Sequence, residues 1–216
     1  MTSHTAAMPQ RQWKKRRGKA VMIGVAVVLL AAMAWDTTVM PIGAEEGQEG
    51  AKMARFAEEE FPKIREDVDS RAVGIGKLSS AIAEDQSAAG EKYGVSGGVG
   101  PIMPVTFTGV VGESTSGTYE VKADGAPDDL VVRVQTGPAI NGTDLRDATG
   151  EIEFGQFKNQ IEYQNAGAAL NDAMKAQVLS DIDTQDLEGK TVTVTGVFQL
   201  INPNNWLVTP VDFSVQ

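Results

Sequence analysis

The rhythm of apolar and polar positions changes twice along the chain, and each change marks a different kind of structure. Residues 20–35 are apolar throughout, from Ala20 to Trp35. From Met53 the apolar positions Met53, Phe56, Phe61, Ile64, Val68, Ala72 and Ile75 recur with charges between them, which is helical spacing. Pro62 lies inside that pattern and is expected to start a new helix or kink one. Gly74 and Gly76 end it, and a second short helix fits Lys77–Ala89 with Leu78 and Ile82 on one face. Beyond residue 104 the period shortens to two. Val105–Val111 and Thr118–Lys122 alternate, and Leu130–Gln135 is β-branched, with turn signals at Ser114–Gly117 and Asp124–Asp129 between them. A helix follows over 156–182, with Tyr163, Ala166, Gly167, Leu170, Met174 and Val178 on one face. Two closing strands, 191–200 and 206–215, are joined by a turn at Asn202–Asn205.

Three strands, a helix and two strands is the order of an OB-type five-stranded β-barrel with one long helix, in the α+β class. An open α+β sheet with the same elements is the alternative. Gly196, inside the fourth strand, suits the sharp bend that such a barrel imposes. The expected organisation is a basic tail (1–19), a signal anchor or transmembrane helix (20–40), a stalk and helical segment (41–93), a glycine-rich linker (94–104) and the barrel domain (105–216). Within the third of these, polar residues 43–50 read as a flexible stalk.

Charge gives the first segments an address. Residues 1–19 hold Arg11, Lys14, Lys15, Arg16, Arg17 and Lys19 and no acid. A basic flank before an apolar run reads as a signal peptide or signal anchor with its N-terminus in the cytoplasm. The triplet Ala32-Met33-Ala34 fits a signal-peptidase site, and cleavage before Trp35 would release the remainder. The alternative, a single-pass anchor in the cytoplasmic membrane, is the favoured reading: residues 20–40 would span about 30 Å as a helix, interrupted only by Asp36. Either way the rest of the chain works outside the cytoplasm.

That remainder holds 13 basic against 29 acidic residues, a net charge of −16. A domain so acidic repels phosphate backbones, so nucleic acid is not an expected partner. The chain has no cysteine, and its one histidine is His4, on the cytoplasmic side of the apolar segment. Thiol nucleophiles, thiolate metal sites, disulfides and an exported histidine base are thereby excluded. No spacing singles out a carboxylate pair, so the chain is not expected to be an enzyme, and no cofactor is expected. Asp181-Ile-Asp183-Thr-Gln185-Asp-Leu-Glu188 superficially looks like a calcium loop. It lacks the glycine at position six and has Val192 at position twelve, so it reads as a solvated acidic turn, without metal. Phe107, Phe198 and Trp206 lie on strands and read as core residues rather than stacking platforms.

One stretch is distinctive. Val134-Gln-Thr-Gly-Pro-Ala-Ile-Asn-Gly-Thr-Asp-Leu-Arg-Asp-Ala-Thr-Gly150, with Phe154-Gly-Gln-Phe-Lys-Asn-Gln-Ile-Glu-Tyr163 and Ala168-Ala-Leu-Asn171, resembles a bacterial family of predicted periplasmic lipoproteins, domain of unknown function 2291. The resemblance extends to Asp85–Gly94 and to Thr209-Pro210-Val211. Members are typically encoded beside sugar ABC uptake systems. The resemblance thus implies an accessory role with a sugar ABC transporter permease or binding protein as partner, and brings no activity with it. The family's lipid-bearing cysteine is missing here, with Trp35-Asp36-Thr37 in its place, so membrane attachment would fall to residues 20–40.

The loop 137–147 and the following helix supply the candidate ligand- or partner-binding residues: Asn141, Thr143, Arg146, Asp147, Asn159, Gln160 and Tyr163. Guanidinium and carboxylate groups hydrogen-bond sugar hydroxyls, and they equally lock loops in place. Both readings of the loop stand at this point. The amides Asn159, Gln160 and Asn171 are expected to cap strand-edge groups; alternatively Asn159 and Gln160 join Arg146 and Tyr163 in a polar groove.

Overall fold

A computed structural model describes residues 44–216, with side chains from residue 47 onward. The basic tail and the segment 20–40 lie outside the described residues. Among the described residues no helix is long and apolar enough to cross a membrane. Residues Glu46–Gln216 form one compact unit.

The first element, α1 (Ala44–Arg71), is a single helix of 28 residues. Met53, Ala57, Phe61, Ile64 and Val68 are buried along one side of it, three or four residues apart. Two expectations are corrected here. The polar stretch 43–50, read as a flexible stalk, is helical from Ala44. Pro62, expected to start a new helix or kink one, starts none, since one helix runs through it. Proline removes one backbone donor and crowds the preceding turn; fully buried Phe61 and Ile64 beside it hold the helix in place.

After α1 the chain makes a two-residue strand, β1 (Val73–Gly74), which the glycine signals alone did not suggest. The expected second helix is two: α2 (Ile75–Glu84) and α3 (Gln86–Tyr93). Asp85 separates them in extended conformation, and its carboxylate accepts the Ala88 amide at 3.0 Å as the N-cap of α3. Residues 94–101 then fold back, with Val95 bridged to Ile102.

The strands β2 (Ile102–Thr115), β3 (Thr118–Ala123), β4 (Val131–Gln135), β5 (Thr191–Gln199) and β6 (Asn205–Val215) follow the expected order. They form a mixed sheet of six strands, β1-β2-β3-β4-β6-β5, rather than the five expected, because β1 adds in parallel to β2 at Val105 and Thr106. Strand β2 also pairs with β5 from Ile102 to Val110, so the pairings lead back to β2. The β4–β6 pair is parallel and the other long pairs are antiparallel. Gly109 makes the double pairing of β2 feasible, since a Cβ there would sit 2.4 Å from the Lys122 carbonyl oxygen. The β5–β6 register shifts between Thr195 and Gly196, where the strand was expected to bend.

Between β4 and β5 lie a one-turn helix α4 (Asp144–Asp147), a 3₁₀ turn (Phe154–Gln156) and α5 (Gln160–Met174), which ends in a π turn (Lys175–Leu179). The single helix expected over 156–182 is therefore shorter and composite. Asn159 begins α5 by accepting the Glu162 amide at 2.9 Å. The core contains Phe61, Phe198 and Trp206, all fully buried. Phe198 and Trp206 stack with centroids 4.3 Å apart, and the indole donates to the Pro203 carbonyl at 2.8 Å. Phe107 is buried as well, so the strand aromatics are core residues.

Two pairs of contacts tie α1 to the rest. Near its start, Lys52 pairs with the buried Glu162 of α5 at 2.6 Å, and Phe56 meets Phe157 edge to face. Near its end, Arg65 pairs with Asp212 of β6, and Arg71 donates to the Ala148 carbonyl at 2.9 Å. The helix is thus held at both ends, across the elements that frame the site.

Candidate functional site

The segment leaving β4 is shaped from both sides. Gln135 donates to Thr209 Oγ1 at 2.8 Å in the interior, and the Thr136 amide reaches the Gly117 carbonyl at 3.0 Å. Gly137 and Gly142 adopt φ of 92° and 117°, a region that side chains disfavour. From below, the buried amide of Asn171 on α5 donates to the carbonyls of Gly142 at 3.1 Å and Ile140 at 3.4 Å. Asn171 therefore caps a loop, where a strand edge was expected.

The loop delivers Arg146 and Asp147 on α4. Arg146 is buried, and its Nε and Nη2 donate to the two carboxylate oxygens of Asp147 at 2.7 and 3.0 Å. Thr143 donates to Asp147 Oδ2 at 2.8 Å. The guanidinium lies 3.7 Å from the ring centroid of Tyr163, a cation–π contact. The Tyr163 hydroxyl is less well served: its contacts with Asp147 Oδ1 and the Ile152 carbonyl are 3.4 and 3.5 Å, long for an O–H donor. Burial, and then the charge of Asp147, push the Tyr163 pKa above its ordinary value. Asp144, next to this group, has its pKa raised to about 6, first by burial and then by Asp147.

Arg146, Asp147 and Tyr163 line one wall of an open hollow of about 420 Å³. Phe154, Glu153 and the glycine-rich segment Ser96–Gly98 line it as well. Phe154 is half exposed and packs edge to face on Tyr163 at 5.6 Å. An aromatic edge, a carboxylate and bare glycine backbone together suit a small polar ligand with an apolar face.

Among the seven sequence-derived candidates, Arg146, Asp147 and Tyr163 converge, and Thr143 joins them through Asp147. Asn141, Asn159 and Gln160 are exposed and do not line the hollow. Asn159 acts as the α5 N-cap, so the expected groove of Arg146, Asn159, Gln160 and Tyr163 does not form as a set. Phe154, Glu153 and Ser96–Gly98 were missed. Phe154 lies four residues after Gly150, which takes positive φ, and three before Phe157, in an otherwise mostly polar stretch. Ser96–Gly98, more than 45 positions earlier, carried no signal of the approach.

Comparison with curated proteins gives no match. Among solved structures, the fold resembles the crystal structure of an OB-fold protein from Thermotoga maritima MSB8, with a TM-score of 0.58 and 18% identity, covering 76% of this chain and 98% of that one. At that identity the likeness concerns the fold alone. The family described as "Predicted periplasmic lipoprotein (DUF2291)" matches residues 23–214, nearly the whole length, and the chain belongs to this family.

Proposed function

We propose that the protein is a membrane-anchored, extracytoplasmic accessory protein of a sugar ABC uptake system, presenting its OB-type domain to the permease or the binding protein. The observation that carries this reading is membership of a predicted periplasmic lipoprotein family by a chain that has no cysteine to carry a lipid. Residues 20–40 then serve as the anchor, with the basic tail inside and the acidic domain outside. The site geometry supports an interaction role over catalysis. Arg146 and Asp147 spend their charges on each other, and both carboxylate oxygens already accept hydrogen bonds. The excess of acid argues against nucleic acid as a partner. The test is a crosslinked pull-down of the full-length protein from native membranes, read by mass spectrometry. Recovery of ABC permease or sugar-binding subunits is the expected result; a clean preparation without them overturns the role and leaves an envelope structural protein independent of a transporter.

A second reading, direct binding of a small ligand with sugar as the class, is favoured by one observation. The Tyr163 hydroxyl has only long partners and lies beside half-exposed Phe154 at an open hollow. A saturable thermal shift with a monosaccharide, lost in Phe154→Ala, is its expected signature.

A further inference from the structure

A second concavity, larger than the hollow beside Tyr163, lies away from Arg146. It is a groove of about 850 Å³ between the first turns of α1 and the length of α5. Its walls are mainly apolar, Met53 from α1 and Ala168, Ala169 and Ala173 from α5 with Ile161 two-thirds exposed beside them, and Asn165 and Gln177 add two uncharged amides. Three acids rim it, Glu49, Glu58 and Asp172, and no lysine, arginine or histidine lines it. Asp172 is paired with Lys175 at 2.7 Å, whereas Glu49 and Glu58 make no ion pair among the described residues. The groove is braced, because Lys52–Glu162 and Phe56–Phe157 join the same two parts of the chain.

We propose that this groove docks an amphipathic helix with a narrow apolar face and lysine or arginine flanks, supplied by a membrane partner. Alanine walls let a helix backbone approach closely, and an apolar channel between two helices fits the stripe that such a helix presents. The unpaired carboxylates of Glu49 and Glu58 complement basic flanks. They also disfavour the two other occupants: a second copy of this acidic chain and an anionic lipid surface. The inference rests on the anchored reading given above. Eight residues lie between Met40, where the apolar segment ends, and Glu49, and the chain is helical from Ala44, so the tether is at most about 20 Å. A groove so tethered works beside the membrane surface, where helices with an apolar face and basic flanks reside.

The experiment places a photocrosslinking amino acid at exposed Ala176, in the full-length protein in native membranes, and identifies the trapped peptide. The expected product is a segment of a membrane protein whose apolar residues recur three and four apart between basic residues. Ala168→Trp, at an exposed groove position, is expected to lower its yield about tenfold, and Glu58→Lys to lower it by less, with circular dichroism and melting temperature unchanged. A crosslink to a second copy, to lipid, to a segment without that pattern, or to nothing overturns the assignment. Failure of the groove and failure of the accessory role are separable. If Ala168→Trp recovers transporter subunits as well as wild type does, the groove assignment falls and the role stands. If wild type recovers none, the role falls.

Discussion

The guanidinium of Arg146 lies over the ring of Tyr163, 3.7 Å from its centroid, while two of its nitrogens donate to the carboxylate of the next residue, Asp147. Seventeen positions separate Arg146 from Tyr163, so α4 and α5 are locked to each other through one planar cation. Lysine would keep the charge and lose both the fork and the flat face. Arg146→Lys is therefore expected to destabilise the fold by about 1–3 kcal/mol, measured by urea unfolding. An unchanged midpoint would show that the pairing contributes nothing to stability.

Asp144 predicts a pH effect whose sign is definite. Its folded pKa, about 6, lies above the ordinary aspartate value, so between about pH 4 and 6 the folded chain binds more protons than the unfolded one. Stability from this group falls as pH rises through that window and stays reduced above it. Asp144→Asn removes the loss. Relative to wild type the variant is expected to be equal near pH 4 and more stable near pH 7, by on the order of 1–2 kcal/mol. Equal differences at both pH values would contradict the assignment.

Glu162 carries the opposite sign. The hydrogen bond from Lys52, reinforced by the Lys158 amide at 2.6 Å, holds its carboxyl below the usual glutamate range. Its contribution is present above the unfolded pKa and is lost as pH falls through the depressed folded one. Glu162→Gln is expected to lower the melting temperature at neutral pH and to converge with wild type in strong acid, as read by calorimetry. A parallel offset at all pH values would point to lost packing alone.

Trp206 tests the interior. Its ring is fully buried against Phe198, and its indole nitrogen is bonded to Pro203. Trp206→Ala is expected to remove about 3–5 kcal/mol, enough to unfold a marginal domain. Trp206→Phe should retain the fold with a smaller loss, which separates cavity formation from a general failure to fold.

Gly117 tests the floor of the site. It has φ of 78°, and a Cβ there would lie 1.9 Å from the Gly137 carbonyl oxygen. Gly117→Ala is expected to destabilise by more than about 1 kcal/mol and to displace the start of the candidate loop. That displacement is readable as a change in Tyr163 amide and ring resonances by NMR.

The strands and the outline of the helices were legible because their information is local. Alternation at Val105–Val111, the β-branched run before Gln135, and the Asn202–Asn205 turn each specify backbone shape within a few residues. Family membership was legible in the same way, from Val134 to Asn171. Pro62 shows the limit: its local preference is to end a helix, and burial of Phe61 and Ile64 on both sides of it prevails. The strand β1 escaped notice because two residues carry no period, and only pairing with Val105 and Thr106 makes them a strand.

The site divides along the same line. The sequence by itself determined the residue chemistry available outside the apolar segment: no thiol, no histidine, an excess of acid, and an Arg-Asp pair in a glycine-punctuated loop. It also determined the order of strands, since each alternation is a local property. Only the tertiary structure decided that Asn159 would cap a helix rather than face a ligand, and that Phe154 and Ser96–Gly98 would meet beside Tyr163. It likewise decided that α1 and α5 would leave an acid-rimmed groove between them. These are contacts across tens of residues, and long-range packing selects them for the whole chain at once.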